Sequence, residues 1–203
     1  MVRRIVTLLV VGFLASTPCA PQDLATEKHC IPAGQRILTP AGWVPVNRLA
    51  PGATVLTPYG PRAIAVITQV VAPKPVIRIV TEGKTVKLTE DHLVLTVQSE
   101  NNGLRTAWRQ AGVLRPNDMI VTYDGVTPLL DVDVTIRDLP GRVGHIVRRV
   151  LTPNRREAVA VILPHGCTVE RIKRIEKLPV EVSYALQVRG VQTFFVEGVL
   201  VHD

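Results

Sequence analysis

Apolar positions along the chain fall in short runs, many alternating with polar neighbours and rich in Val, Ile and Leu. They cover residues 64–71, 76–80, 86–88 with 93–97, 119–122, 132–136, 159–163 and 194–201. Gly, Pro, Asn and Asp separate the runs. β-Branched side chains suit a pleated surface and turn-forming residues end it, so the pattern predicts an all-β chain. Only 46–49, 109–114 and the basic stretch 144–151 suit brief helical pieces.

One pattern recurs at an offset of 65 residues. WVPVNRLAPGATVLTPYG, residues 43–60, lies over WRQAGVLRPNDMIVTYDG, residues 108–125. Trp43 matches Trp108, Leu49 matches Leu114, Pro51 matches Pro116, Thr57 matches Thr122 and Gly60 matches Gly125. Each copy reads as an aromatic plug, a single helical turn ending in leucine, a Pro-Gly or Pro-Asn turn, and an apolar strand closed by a glycine hairpin. Two such halves related by a pseudo-dyad would bring the first and last strands together at the centre, with Cys30 beside His202.

At 203 residues, 46% hydrophobic but only 4% aromatic, the chain suffices for one aliphatic core. Arg3 and Arg4 precede an apolar run over 5–15 and then small residues and prolines, the layout of a secretory signal. The expected division is a signal peptide over 1–20, a short leader over 21–29 and a domain over 30–203 with an insertion at about 124–167. Secretion or export to a periplasm follows from that division. The apolar run is short for a membrane span, so no stable anchor is expected; a buried strand or uncleaved anchor is the alternative. Pro18 departs from the small-residue pattern that lipidation at Cys19 would need.

Losing Arg3 and Arg4 lowers the formal charge from +7 to +5, and the chain stays basic. Arg142, Arg148, Arg149, Arg155 and Arg156 concentrate this charge without interleaved aromatics, which favours a solvated face over a nucleic-acid site. His145, His165 and Cys167 lack a paired-ligand motif, so neither metal nor cofactor is expected. With Cys19 removed, Cys30 and Cys167 remain, and a disulfide between them would consume a nucleophile. Cys30 is expected to stay reduced.

Candidate chemistry lies in Cys30, in Thr89 with His92 three residues on, and in His202 followed by Asp203. A thiol and two imidazoles are the groups needed to break a peptide bond by acyl transfer. The surrounding segments together resemble the Hint superfamily of hedgehog autoprocessing domains and inteins, most nearly the bacterial intein-like domains. Cys30, Gly34, Ile37, Thr39, Gly42, Val46, Leu49, Gly52 and Val55 carry the opening block. Thr89 to Leu93 carry the Thr-x-x-His block, Trp108 to Asp118 the second Leu-x-Pro element, and 182–188 with 193–203 the two closing blocks. The resemblance implies a horseshoe of antiparallel strands with pseudo-two-fold symmetry.

It also implies a single-turnover, cysteine-dependent self-cleavage rather than a multiple-turnover enzyme. Cys30 would attack the carbonyl of His29 in an N-to-S acyl shift, His92 would protonate the amide nitrogen, and Thr89 would fix the backbone or the oxyanion. The substrate would be the chain's own N-terminal flank. Asp203 stands where a closing asparagine is usual, Gln192 where a histidine is common, and Ala185 where an aspartate is common. Full splicing is therefore not expected, and His202 would polarise the thioester or survive as a relic. The alternatives are a non-catalytic β scaffold descended from such a domain, or the remnant of a fusion to a secreted effector.

Overall fold

The computed structural model describes residues 29–70, 74–100, 103–126, 129, 146–151 and 158–203. The signal-like segment, nearly all of the leader, the 132–136 run and Arg142, His145, Arg155 and Arg156 lie outside these residues.

Every strand pairing among the described residues is antiparallel. The largest sheet runs β13 (Cys167–Arg171), β10 (Met119–Tyr123), β8 (Leu93–Glu100), β17 (Val199–His202), β16 (Thr193–Val196), β2 (Arg36–Thr39) and β3 (Gly42–Pro45), with β9 (Gly103–Gln110) paired to β8 off this path. A second sheet runs β1 (Cys30–Pro32), β15 (Ser183–Val188), β5 (Gly60–Val70) and β4 (Thr54–Thr57). A third joins β14 (Arg174–Leu178), β6 (Val76–Val80) and β7 (Thr85–Thr89), and β11 (Ile146–Leu151) pairs with β12 (Ala158–Leu163). The architecture is an all-β horseshoe.

The central strands are buried on both faces, which explains their unbroken apolar runs. Ile37, Val55, Val94, Ile120, Phe194 and Val199 enter one core, while their neighbours Leu38, Leu56, Leu95, Val121, Phe195 and Leu200 enter another. Successive side chains of a strand point to opposite sides, so each adjacent pair of residues supplies both cores.

The repeat is visible as matched hydrogen bonds. A 3-10 turn at Val46–Arg48 and another at Ala111–Val113 stand 65 residues apart, each closed by the following leucine amide. Gly52 N–H donates to Ile64 O as Asn117 N–H donates to Ile172 O, and Ile64 N–H returns to Ala53 as Ile172 N–H returns to Asp118. Gly52 and Asn117 share a left-handed backbone, with φ of 86° and 75°. This conformation suits glycine and admits asparagine with little strain, so both residues can make the same turn.

Three local expectations change. Residues 194–201 form a hairpin rather than one strand, because Glu197 and Gly198, with φ of 47° and 83°, turn β16 into β17. The Arg36 guanidinium and amide bind the Glu197 carboxylate at 2.7–3.1 Å and hold that turn. Within 144–151, residues Ile146–Leu151 are a strand and not a helix, paired along their length with the β-branched run of β12. Finally, β1 pairs with β15, whereas β17 pairs with β16, β8 and β10.

Candidate active site

Thr89 ends β7, and His92 N–H donates to Thr89 O at 3.0 Å, so the Thr-x-x-His spacing is one tight turn. A turn of four residues places its first and last side chains side by side. The second 3-10 turn backs this loop: Ala111 N–H donates to His92 O at 2.8 Å and Gly112 N–H to Glu90 O at 2.7 Å. A Cβ at Gly112 would lie 3.1 Å from Glu90, a tight contact that a side chain could take only if Glu90 gave way by a few tenths of an ångström.

Between the two side chains runs Cys30. The Thr89 hydroxyl accepts from Cys30 N–H at 3.0 Å and donates to Cys30 O at 3.1 Å. His92 Nδ1 lies 3.2 Å from the same carbonyl oxygen. A carbonyl oxygen only accepts, so this contact requires the proton on Nδ1 and leaves a lone pair on Nε2. Both Cys30 and His92 are 1% exposed. Burial pushes the His92 pKa down to about 3, with the neighbouring His29 adding to the effect and the hydrogen bond to Cys30 opposing it. The ring is neutral at pH 7.

Around this core lies a shell of charge. Lys74 Nζ donates to Asp91 Oδ2 at 2.5 Å. Burial raises the Asp91 pKa, but the hydrogen bond from Lys74, the nearby Thr89 hydroxyl and the Lys74 charge outweigh it and hold the carboxyl below its ordinary value. The His29 ring lies 5.6 Å from that of His92, centroid to centroid. Its pKa is lowered chiefly by burial, with Asp91 opposing and His202 and Lys74 reinforcing the shift. His202 stacks edge-on against Trp108 at 5.1 Å and pairs with Leu93 and Thr193 along the sheet.

The pattern of unmet hydrogen bonds is concentrated here. Among the described residues, the buried side-chain nitrogens and oxygens with no hydrogen-bond partner are His29 Nδ1, Asp91 Oδ1, His92 Nε2, Thr193 Oγ1 and His202 Nδ1. Each of these five atoms belongs to the residues around His92 and His202.

The sequence-derived residues are thus gathered to different degrees. Cys30, Thr89 and His92 are in direct contact, and the charge of His202 is felt by both His29 and His92. Asp203 instead donates its N–H to Gln192 O at 2.7 Å and borders a cleft of about 560 Å³ with Gln187, Arg189 and Gln192. Cys30 stands opposite Ala185 in the β1–β15 register, so a methyl group occupies the position facing the thiol-bearing residue. Cys30 and Cys167 are both thiols, and Cys167 packs in the second core. Sequence reasoning overlooked Lys74, Asp91 and the His29 side chain. Asp91 lies inside the Thr-x-x-His motif, and that position was the available signal.

No known family and no curated protein matches the chain by sequence. Solved structures match throughout the fold. A DnaB intein from Synechocystis sp. PCC 6803 is 14% identical with a TM-score of 0.58, the match covering 86% of this chain and 97% of the intein. A DnaX mini-intein from Spirulina platensis is 18% identical with a TM-score of 0.54, covering 86% and 99%. A bacterial intein-like domain from Clostridium thermocellum is 16% identical with a TM-score of 0.53, covering 88% and 100%. The chain has the Hint fold.

Proposed function

We propose that this protein is an autoprocessing domain in which the Cys30 thiol attacks the carbonyl carbon of His29. The observation that carries this reading is the grip of Thr89 and His92 on the backbone of Cys30, within a buried cluster of unsatisfied polar atoms. A carbon–sulfur bond forms, the carbon–nitrogen bond between residues 29 and 30 breaks, the thiol gives up its proton and the departing nitrogen gains one. The product is a thioester, which water or a second thiol resolves to release the flank ending in His29.

Thr89 suits the first step because its oxygen already touches the nitrogen that must leave. Its hydroxyl hydrogen, now directed to Cys30 O, reaches that nitrogen by rotation about one bond. His92 faces the other end of the same residue, and its low pKa makes its protonated form a strong acid for a leaving amine. Asp203 carries a carboxylate, which lacks the amide nitrogen needed for asparagine-type cyclisation. The proposed reaction therefore stops at N-terminal cleavage. Arg3, Arg4 and the apolar run after them support export of the chain, with residues 1–20 removed as a signal peptide and 21–29 left as the flank.

Ala185 opposite the buried Cys30 favours a second reading, a scaffold that no longer reacts. Intact mass of the purified protein, with and without dithiothreitol, separates the two. Self-processing gives loss of all residues before Cys30, faster with the thiol and abolished in Cys30→Ala. An unchanged mass in every condition leaves the scaffold.

A further inference from the structure

His92 presents a difficulty for any proton-transfer role. Its ring is fully buried, its Nδ1 is committed to Cys30 O, and its Nε2 has no protein hydrogen-bond partner among the described residues. The His29 ring is the group placed to remedy this. It is only half-buried, its centroid is 5.6 Å from that of His92, and its own Nδ1 is buried without a partner. At that separation a modest tilt brings one nitrogen of each ring into hydrogen-bond range, and catalytic hydrogen bonds are often long before reaction.

We propose that the His29 imidazole is the proton relay to His92, so that the flank to be released supplies part of the machinery that releases it. This rests on the self-cleavage reading above. A proton taken up by His29 passes from its Nδ1 to His92 Nε2, and the imidazolium of His92 then gives its Nδ1 proton to Thr89 Oγ1, which meets the same Cys30 carbonyl, as the Thr89 hydroxyl hydrogen passes to the nitrogen of Cys30. Each ring ends neutral, and one proton has moved from solvent to the nitrogen of Cys30. The thiol proton is returned to solvent, so the count balances. The groups acting on His29 are Asp91 and a hydrogen bond with the His202 backbone, which favour its protonated form, and the side chains of His202 and Lys74, which disfavour it.

Two consequences follow. Cleavage selects for histidine immediately before the nucleophile, a specificity set by the flank rather than by the domain. The relay also departs with the product, so the cleaved domain lacks the group that would serve the reverse reaction.

The test uses the full chain with His29→Ala and His29→Gln, following loss of the flank by intact mass across pH 5 to about 8, with and without added imidazole. The expected result is a slowing on the order of 10²-fold in both variants. Added imidazole restores the rate of His29→Ala, and the wild-type increase in rate as pH falls through the histidine range disappears in both. Wild-type rates and pH dependence in both variants overturn the relay while leaving Cys30 chemistry standing. A slowing that imidazole does not relieve, with the pH dependence intact, also overturns it and assigns His29 a steric role. Absence of any Cys30-dependent cleavage in the wild type removes the self-cleavage reading, and the relay with it.

Discussion

The two halves of the horseshoe place equivalent residues at equivalent positions and use them for different ends. Val46 N–H donates to Gln35 O in the first half, and Ala111 N–H donates to His92 O in the second. Gln35 and His92 each precede a hairpin, of four-residue strands in one half and eight-residue strands in the other. Their side chains then reach across to each other's half. Gln35 Oε1 accepts from the backbone N–H of Lys87 at 2.7 Å, while His92 Nδ1 meets the backbone carbonyl of Cys30 at 3.2 Å. Cys30 lies five residues before Gln35 and Lys87 five before His92, so the two contacts are images of one another.

What differs is satisfaction. The Gln35 contact is a neutral amide bond that holds two strands together. At the other position, an ionisable ring is buried with one nitrogen unpartnered, beside a thiol-bearing residue and a charged pair. The symmetric scaffold supplies the placement. The proposed self-cleavage draws on the place where a ring nitrogen has no protein partner.

Substituting the two positions in parallel gives the largest expected contrast. His92→Ala slows self-cleavage on the order of 10²-fold or more with the fold retained, as read by intact mass and circular dichroism. Gln35→Ala leaves the cleavage rate near wild type and lowers stability by about 1 kcal/mol in denaturant unfolding. Equal rates in the two variants would remove the functional difference between the halves.

Acid comes next in size. The His92 pKa is about 3 in the folded chain against 6.5 for the unfolded group, and that of His29 is lowered as well. Between pH 6.5 and about 3 the unfolded chain binds protons that the folded chain refuses, so stability falls as pH is lowered through this window. The slope is about 1.4 kcal/mol per pH unit for each such proton. Thermal unfolding from pH 7 to about 4 should show the loss, and His92→Gln should flatten it. An unchanged slope in that variant would place the acid sensitivity elsewhere.

The smallest effects concern the paired turns. Gly52→Ala costs about 1 kcal/mol, because its φ of 86° is disfavoured for any residue with a Cβ. Asn117→Gly changes stability by no more than about 0.5 kcal/mol, since asparagine already tolerates that conformation. Thermal melts of the two variants sharpen how far the turns are equivalent.

Much of this architecture is legible in the sequence because a repeat constrains what periodicity alone leaves open. The offset from Trp43 to Trp108 predicts both 3-10 turns and both strands that follow. The Glu197–Gly198 turn escaped notice because Phe194 to Val196 and Val199 to Val201 are buried on both sides and read as one apolar run. In IVRRVL the apolar residues flank two arginines at a spacing that fits a helix as well as a strand, and pairing with β12 decides the matter. Cys30, Thr89 and His92 could be read from motif spacing. Lys74 joins Asp91 across 17 residues through tertiary packing, which no local pattern encodes.

The clasp between His92 and Cys30 makes the candidate site observable without any reaction. A nitrogen-bound hydrogen shared with a single carbonyl, inside apolar surroundings, exchanges slowly with solvent and resonates far downfield of the amide envelope. The imidazole Nδ1 proton of His92 should therefore be a resolved NMR signal at neutral pH. Its line width and position would report, in real time, how the Cys30 carbonyl it touches responds when the bond after His29 is broken.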